Sequence, residues 1–131
     1  MNRKINFAIW GVWGGRYVFE ILIDGSTVCC KATRISYNKE AWQTFDKAKG
    51  MFVEVSEEWL AKLDALEIFS WEEEYKRPPR FPDDSIWWRL TFENGEKIYN
   101  GHGENIAHKN WSRFMDWLGE IFKEDDRWLS I

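Results

Sequence analysis

The sequence has few of the residues that indicate membrane insertion or a disulfide framework. No apolar run approaches the roughly 20 residues that a membrane-spanning helix needs, and 31% of the residues are charged. The only cysteines are Cys29 and Cys30, and neighbours on a strand point to opposite faces of a sheet. We therefore predict no transmembrane segment and no disulfide, and we expect a cytoplasmic protein with no membrane partner.

Residues with metal-binding or catalytic spacing are equally scarce. Two cysteines and two histidines show no Cys-x-x-Cys or His-x-x-x-His pair, which argues against a metal site. No Gly-x-Ser-x-Gly motif is present, and Gly11, Gly14 and Gly15 lack the lysine of a phosphate-binding loop. We predict no metal, no cofactor and no enzymatic activity.

Tryptophan is the residue present in excess. Ten of the 131 residues are tryptophan, and aromatic residues make up 18% of the chain. Each tryptophan buries on the order of 200 Å2, and its indole N–H needs an acceptor. A single core of this size has little room for all ten, so we expect about two or three indoles at the surface. The alternative is that all ten lie in or beside the core.

Charge is distributed unevenly along the chain. Residues 1–50 carry eight Lys/Arg and four Asp/Glu, whereas residues 51–131 carry ten and eighteen, which leaves a net charge of −4. This acidic later half favours a protein partner with a basic surface, although such a surface can also serve solubility alone. The net negative charge makes nucleic acid an unlikely partner because the phosphate backbone is itself negative.

The first half of the chain has the pattern of antiparallel strands. Residues 5–10 predict one strand, and residues 16–23 and 26–34 predict two more that flank a two-residue turn at 24–25. Residues 51–55 predict a short strand or an extended segment before a helix. The turn at 24–25 places six apolar side chains on one face of the hairpin: Phe19, Ile21, Ile23, Val28, Cys30 and Ala32.

A first helix and a connector follow. Ser56 is a good N-cap, Glu57 and Glu58 suit the first turn, and helical spacing continues to about Phe69. Residues 76–82 contain three prolines and must be extended, because proline disfavours helix at its own position and at the residue before it. This connector is either a plain linker or a proline-rich ligand for an aromatic groove.

A second hairpin is predicted between residues 85 and 100. Its first strand, residues 85–92, alternates apolar and polar side chains. A three-residue loop at 93–95 places Ile98 opposite Leu90 on the apolar face. The same register leaves Trp87 and Tyr99 on the opposite, solvent-facing side.

The last helix is predicted to begin after Asn110 and to end near Lys123. Its apolar stripe consists of Trp111, Phe114, Met115, Leu118, Ile121 and Phe122, and Trp117 falls beside that stripe. We therefore predict one α+β domain over residues 1–131. It has an antiparallel sheet of about five strands, built from hairpins, with two amphipathic helices packed on one face.

Residues 86–122 combine four motifs. Trp88 lies in a strand, an Asn-Gly turn follows at 94–95, a Gly-x-Asn loop occupies 103–105, and Asn110-Trp111 opens a helix. This combination resembles small, mostly uncharacterised bacterial proteins. The resemblance implies a hairpin followed by a helix at the end of a compact domain, with no assigned chemistry. By analogy, some small acidic proteins of this kind are immunity proteins that neutralise toxins.

The leading functional interpretation is an inhibitory protein-binding module, such as a bacterial immunity protein that neutralises a toxin or nuclease. Its partner surface is predicted from aromatic residues and acidic clusters: Trp87, Tyr99, Trp117, Glu72, Glu73, Glu74, Asp83 and Asp84. One alternative is a small-molecule binder or minor enzyme with an aromatic pocket rimmed by His102, Asn105 and His108. Another is a phage-encoded inhibitor of a bacterial defence system.

Overall fold

The computed structural model describes residues 2–11, 15–35, 49–78 and 85–121. Their strands are β1 (Asn2–Gly11), β2 (Gly15–Asp24), β3 (Thr27–Ile35), β4 (Lys49–Glu54), β5 (Glu74–Lys76), β6 (Ile86–Asn94) and β7 (Lys97–Glu104). The helices are α1 (Glu57–Ala65) and α2 (Trp111–Gly119). All seven strands form one sheet in the order β4-β3-β2-β1-β6-β7-β5.

The α+β class is confirmed, and both helices contribute to one core on one face of the sheet. The predicted count of about five strands is wrong, because the sheet has seven. It is also mixed, since β5 runs parallel to β7 while every other neighbouring pair is antiparallel. The sequence of β5, Glu-Tyr-Lys, is too short and too polar to show strand periodicity.

The β2–β3 hairpin has the predicted apolar face but a different register. Asp24 pairs with Thr27, so the turn consists of Gly25 and Ser26 and does not include Asp24. Gly25 has φ 61°, as a type II′ turn requires at its first position. The actual pairing differs from the predicted one by two residues, which leaves the same side chains on the same face.

The predicted register of the second hairpin is wrong. Asn94 pairs with Lys97, and the turn is Gly95-Glu96. Phe92 therefore lies opposite Tyr99 on the core face, and Tyr99 is only 4% exposed. Ile98, expected in the core, is 62% exposed.

Two glycines in β7 make room for the rings of the core. A Cβ at Gly101 would overlap the Tyr99 ring, and a Cβ at Gly103 would overlap the Trp88 indole. The Tyr99 hydroxyl donates to the Glu72 carbonyl at 2.6 Å, and the Trp88 indole N–H donates to the Ile106 carbonyl at 3.0 Å. The two rings therefore lie over bare backbone, an arrangement that is known to compensate for glycine in strands.

Helix α1 begins as predicted and ends earlier. The Ser56 side chain accepts the Trp59 backbone N–H at 3.1 Å, which confirms the N-cap. The helix ends at Ala65, not near Phe69, and residues Ile68–Ser70 form a short 3-10 helix. The chain leaves the helix at Glu67, whose φ of 54° is left-handed.

The end of α1 is held by side chains from elsewhere in the fold. The Leu66 carbonyl accepts the Trp71 indole N–H at 2.9 Å and the Asn110 side-chain amide at 3.1 Å. A continuing helix would bond that carbonyl to its own backbone, so these two contacts stabilise the break. Asn110 is the N-cap residue of α2, as predicted, but its side chain does not cap that helix.

Helix α2 ends at Gly119, about four residues before the predicted end near Lys123, and residues 120–121 form a turn. Its buried side chains are Phe114, Met115, Trp117 and Leu118. In the described ranges, neither helix has the length and apolar character needed to cross a bilayer.

Candidate functional site

The described tryptophans are mostly inside the protein. Four are buried (Trp59, Trp71, Trp88 and Trp117), and three are partly buried (Trp10, Trp87 and Trp111). None of these seven is largely exposed, but Trp10 and Trp87 lie on the sheet face away from the helices and keep part of their rings accessible. Trp13, Trp42 and Trp128 lie outside the described residues.

Trp59 and Trp117 form a stacked pair between the two helices. Their ring centroids are 4.2 Å apart, and the ring planes differ by 20°. The Trp117 indole donates to the Trp59 carbonyl at 3.0 Å, and the Trp59 indole donates to the Trp117 carbonyl at 3.4 Å. This reciprocal pairing satisfies both indole N–H groups inside the core, so the pair has a structural role.

The sheet face opposite the helices, which we call the open face, carries the remaining strand tryptophans. Trp10 in β1 lies directly opposite Trp87 in β6 and Arg16 in β2. The Arg16 guanidinium carbon is 5.4 Å from the centroid of the Trp10 ring, within cation–π range. Arg89 and Glu104 flank Trp87 on the same face, and we call these five residues the Trp10–Trp87 patch.

Arg16 has an unmet hydrogen-bonding capacity. Its Nε atom is buried and has no hydrogen-bond partner among the residues that the structure describes. Leaving a buried donor without an acceptor costs about 1–3 kcal/mol. The patch therefore combines two partly buried indoles with an arginine that stacks on one of them.

The predicted partner residues are divided between the two faces. Trp87 lies on the open face, as predicted, and is partly buried. Tyr99 and Trp117 belong to the core, so their predicted place on the partner surface is wrong. Tyr99 was misplaced because the predicted register of the second hairpin is wrong. Trp117 was misplaced because the buried stripe of α2 is wider than predicted and includes it, leaving it only 2% exposed.

The predicted acidic clusters are only partly described. Glu72, Glu73 and Glu74 are all exposed. Glu74 lies opposite His102 in the β5–β7 pair, and His102 lies opposite Arg89 of the patch. Glu74 is therefore the acidic residue of this cluster that shares the open face with Trp87. Asp83 and Asp84 lie outside the described residues.

The three residues predicted to rim a pocket do not come together. His102 is exposed on the open face, whereas His108 stacks on buried Trp71 with centroids 4.9 Å apart. Asn105 has φ 62°; its Oδ1 accepts from Ile86 N at 2.9 Å, and its Nδ2 donates to the Arg77 carbonyl at 2.8 Å. Its amide thus joins the end of β5 to the start of β6, which is a structural role.

His108 is held in its neutral form. Its Nδ1 accepts the Asn110 backbone N–H at 3.0 Å, which requires an unprotonated nitrogen. Burial, with a smaller contribution from Lys109, lowers the pKa of His108 below its ordinary value, although Glu67 opposes the change. Because the unfolded chain then binds the proton more readily, low pH favours unfolding.

We expect the melting temperature to be independent of His108 above about pH 6.5 and to fall as the pH decreases below that value. Thermal denaturation between pH 5 and 8 measures the effect, and His108→Gln should flatten this part of the profile. His102→Gln is the matched control and should keep the wild-type dependence. If His108→Gln shows the same dependence of melting temperature on pH as the wild type, protonation of His108 is not the cause of the loss of stability.

A second feature of the open face was not predicted. Leu22 in β2, Cys29 in β3 and Phe52 in β4 lie side by side across three strands, and we call them the β4-edge row. Leu22 is 45% exposed and Phe52 is 81% exposed. The signal in the sequence was the run Met51-Phe52-Val53, since consecutive residues of a strand cannot all face one side.

The two cysteines lie on opposite faces, as predicted. Cys29 is exposed in the β4-edge row, whereas Cys30 is buried in the core, and the two do not form a disulfide. Burial, together with the nearby Cys29, raises the pKa of Cys30 to about 11. Cys30 is therefore an inert core residue and not a nucleophile.

A shallow groove lies beside β4 on the helix side. Its volume is about 330 Å3, and its walls include Val53, Val55, Trp59 and Ile121. Charged side chains line it as well, and one of them, Lys62, donates to Glu120 at 2.8 Å. The residues that were predicted to rim a pocket, His102, Asn105 and His108, do not line this groove.

Comparison with known proteins assigns no family, because none of the protein-family models and none of the curated proteins matches this chain. The resemblance of residues 86–122 to small bacterial proteins remains a prediction. The geometry of the open face is therefore the basis for a functional proposal.

Proposed function

We propose that the protein is an inhibitory binding module that covers a protein partner with its open face, as a bacterial immunity protein covers a toxin or nuclease. The Trp10–Trp87 patch carries this proposal. Tryptophan and arginine are the residue types most enriched at the energetic centres of protein interfaces. Arg16, whose guanidinium carbon lies 5.4 Å from the Trp10 ring centroid, adds a positive charge to this aromatic surface.

The size of the open face suits a protein partner. Strands lie about 4.8 Å apart, so a sheet of seven is roughly 30 Å wide. Its central strands have nine or ten residues, which makes the face about 30 Å long. The resulting area of roughly 900 Å2 exceeds the 800 Å2 or so that each protein contributes to a standard interface, so a partner centred on the Trp10–Trp87 patch need not reach β4 at the edge.

The charges of the open face define what the partner must offer. Arg16 and Arg89 favour carboxylate or carbonyl oxygens at the centre of the interface. Glu74 and Glu104, together with the net charge of −4, favour basic groups around that centre. A partner with a basic surface fits this arrangement through steering, and its association should slow as salt increases.

Two other candidates follow from the same structure. A phage-encoded inhibitor of a bacterial defence system would use the same open face and differ only in its target. A small-molecule binder would instead use the groove beside β4, where Trp59 and Ile121 line the wall together with charged side chains. We place the protein in the cytoplasm, where a toxin or defence nuclease would have to be bound.

Replacing Trp87 with alanine should weaken partner binding by about 2 kcal/mol, roughly 30-fold in Kd. The partner is first captured from a bacterial lysate with the wild-type protein, and its Kd is then measured by calorimetry. Expression of the captured partner alone should arrest growth. Wild-type protein should restore growth, and the Trp87→Ala variant should restore less.

Phe69→Ala is the matched control, because Phe69 is an exposed aromatic residue that stacks on Phe92 on the helix side. It should bind and neutralise the partner as the wild type does. The proposal is wrong if Trp87→Ala is also indistinguishable from the wild type. A thermal-shift experiment tests the small-molecule candidate. This candidate is favoured if a metabolite raises the melting temperature of the wild type but not that of a variant in which groove residue Ile121 is changed to aspartate.

A further inference from the structure

The two ends of the sheet differ in how they are protected. Edge strands expose unpaired backbone groups, and proteins usually shorten them or add charges and proline. β5 follows this rule, because it has three residues, ends in Lys76 and is followed by Pro78. β4 is less protected: it has six residues with charged residues only at its two ends, pairs only with β3 in the described ranges, and carries the highly exposed Phe52.

The backbone of β4 shows which groups point outward. Val55 donates its N–H to the Ser26 carbonyl at 2.8 Å, so Val55 faces β3. In an antiparallel pair the direction alternates from residue to residue. The N–H and C=O groups of Gly50, Phe52 and Glu54 therefore point away from β3, toward the side on which no described strand pairs with β4.

We propose that two copies of this chain join by antiparallel pairing of their β4 strands about a two-fold axis at Phe52. Phe52 then lies opposite the second copy's Phe52, and Gly50 lies opposite the second copy's Glu54. All the outward groups of these three residues find partners, which forms roughly six backbone hydrogen bonds. The β4-edge row of one copy continues into that of the other, so Phe52, Cys29 and Leu22 of both copies make one apolar strip.

The apolar row and the charges of β4 favour a second copy as the occupant. Phe52 is 81% exposed, and the two-fold axis places it directly against the second copy's Phe52, so each ring covers the other. The Glu54 carboxylate accepts the hydroxyls of Ser26 and Thr27 at 2.9 and 2.6 Å, so it is turned toward its own β3. The residue opposite Glu54 in the second copy is Gly50, so no like charges meet. Pairing with a strand of unrelated sequence would not create the Phe52 contact.

The open faces of both copies lie on the same side of the joined sheet, because residues directly opposite in an antiparallel pair share a face. The interface is narrow, and its free-energy gain comes from one strand and one apolar strip. We therefore expect a dimer that forms at roughly 10–100 µM, in the range of weak interfaces. This inference does not depend on the proposed function, since the Trp10–Trp87 patch lies on β1, β2, β6 and β7.

Sedimentation velocity of the full chain from about 5 to 500 µM tests the proposal. The wild type should shift from monomer to dimer. Phe52→Lys should stay monomeric over the whole range, because it places two like charges opposite each other. Ile98→Lys is the matched control: Ile98 is exposed on the open face of β7, far from β4, and its variant should dimerise as the wild type does.

One further variant tests the pairing itself. Phe52→Pro removes an outward N–H that no described residue of the monomer accepts, so it should abolish the dimer while the melting temperature at low concentration stays close to that of the wild type.

The proposal is overturned if the wild type remains monomeric at 500 µM. It is also overturned if Phe52→Lys dimerises at the same concentration as the wild type.

Dimer formation and partner binding can be tested separately. Phe52→Lys should still bind the partner, and Trp87→Ala should still dimerise. The alternative occupant of β4 is a strand of the captured partner. In that case the β4 amides would be protected from hydrogen exchange only in the complex with the partner, and the proposed dimer would be excluded.

Discussion

Replacing Trp117 with alanine is expected to lower the free energy of unfolding by about 3–5 kcal/mol, the range for large aromatic residues in a core. Trp117 is 2% exposed and fills the space between the helices by stacking on Trp59 at 4.2 Å. The substitution also removes the indole donor to the Trp59 carbonyl. Urea denaturation of the variant and the wild type measures the difference.

Two variants separate the causes of this loss. Trp117→Phe keeps a ring and removes the N–H, so it should lose less stability than alanine. Phe69→Ala removes an aromatic ring that is already partly exposed, and its cost should be well below that of Trp117→Ala. If Phe69→Ala and Trp117→Ala lower the free energy of unfolding equally, the stacked Trp59–Trp117 pair contributes no more to stability than a partly exposed ring.

Gly103→Ala is expected to cost about 3 kcal/mol, which corresponds to a decrease of roughly 10 °C in melting temperature. A Cβ at this position would overlap the Trp88 indole and approach the Ile106 carbonyl at 2.7 Å. That carbonyl accepts the Trp88 indole N–H, so moving the ring to relieve the overlap also breaks the hydrogen bond.

Gly11→Ala is the matched control in the same sheet. A Cβ at Gly11 would meet the Ser85 carbonyl at 3.5 Å, an ordinary van der Waals distance. Its melting temperature should stay close to that of the wild type. If Gly103→Ala and Gly11→Ala have the same melting temperature, the Trp88 ring does not require a glycine at position 103.

The two proposals assign different parts of the open face to different contacts. The Trp10–Trp87 patch lies near the middle of the sheet, whereas the β4-edge row lies at one end. A dimer through β4 would therefore leave both patches accessible on one side. A partner that is itself dimeric would then bind more tightly than a monomeric one through effective concentration.

Local patterns were sufficient for much of the fold. Alternation in residues 85–92 placed Trp88 and Leu90 in the core, and Ser56 correctly marked the start of α1. These signals depend on the neighbours of each residue along the chain, which the sequence contains directly. The shared face of the first hairpin was also correct, because a shift of two residues does not change the face.

The candidate site was harder to predict because it depends on register. The predicted 93–95 loop and the actual Gly95-Glu96 turn use the same kinds of residues, yet they send Tyr99 to opposite faces. The glycines at 101 and 103 were the available signal, since they lie two residues apart on the face that holds the Tyr99 and Trp88 rings. For Trp117, the helical period alone left a boundary position whose burial depends on what packs against it.

The sequence by itself determined the α+β class, the main amphipathic elements, the start of α1 and the opposite orientation of the two cysteines, because each follows from local periodicity or capping. The tertiary structure alone decided that β5 joins the sheet, that Trp10 meets Trp87, and that Trp59 and Trp117 satisfy each other's N–H groups. These outcomes pair residues that are distant along the chain. Such pairs form only where backbone hydrogen bonding and close packing of the whole core can be satisfied together.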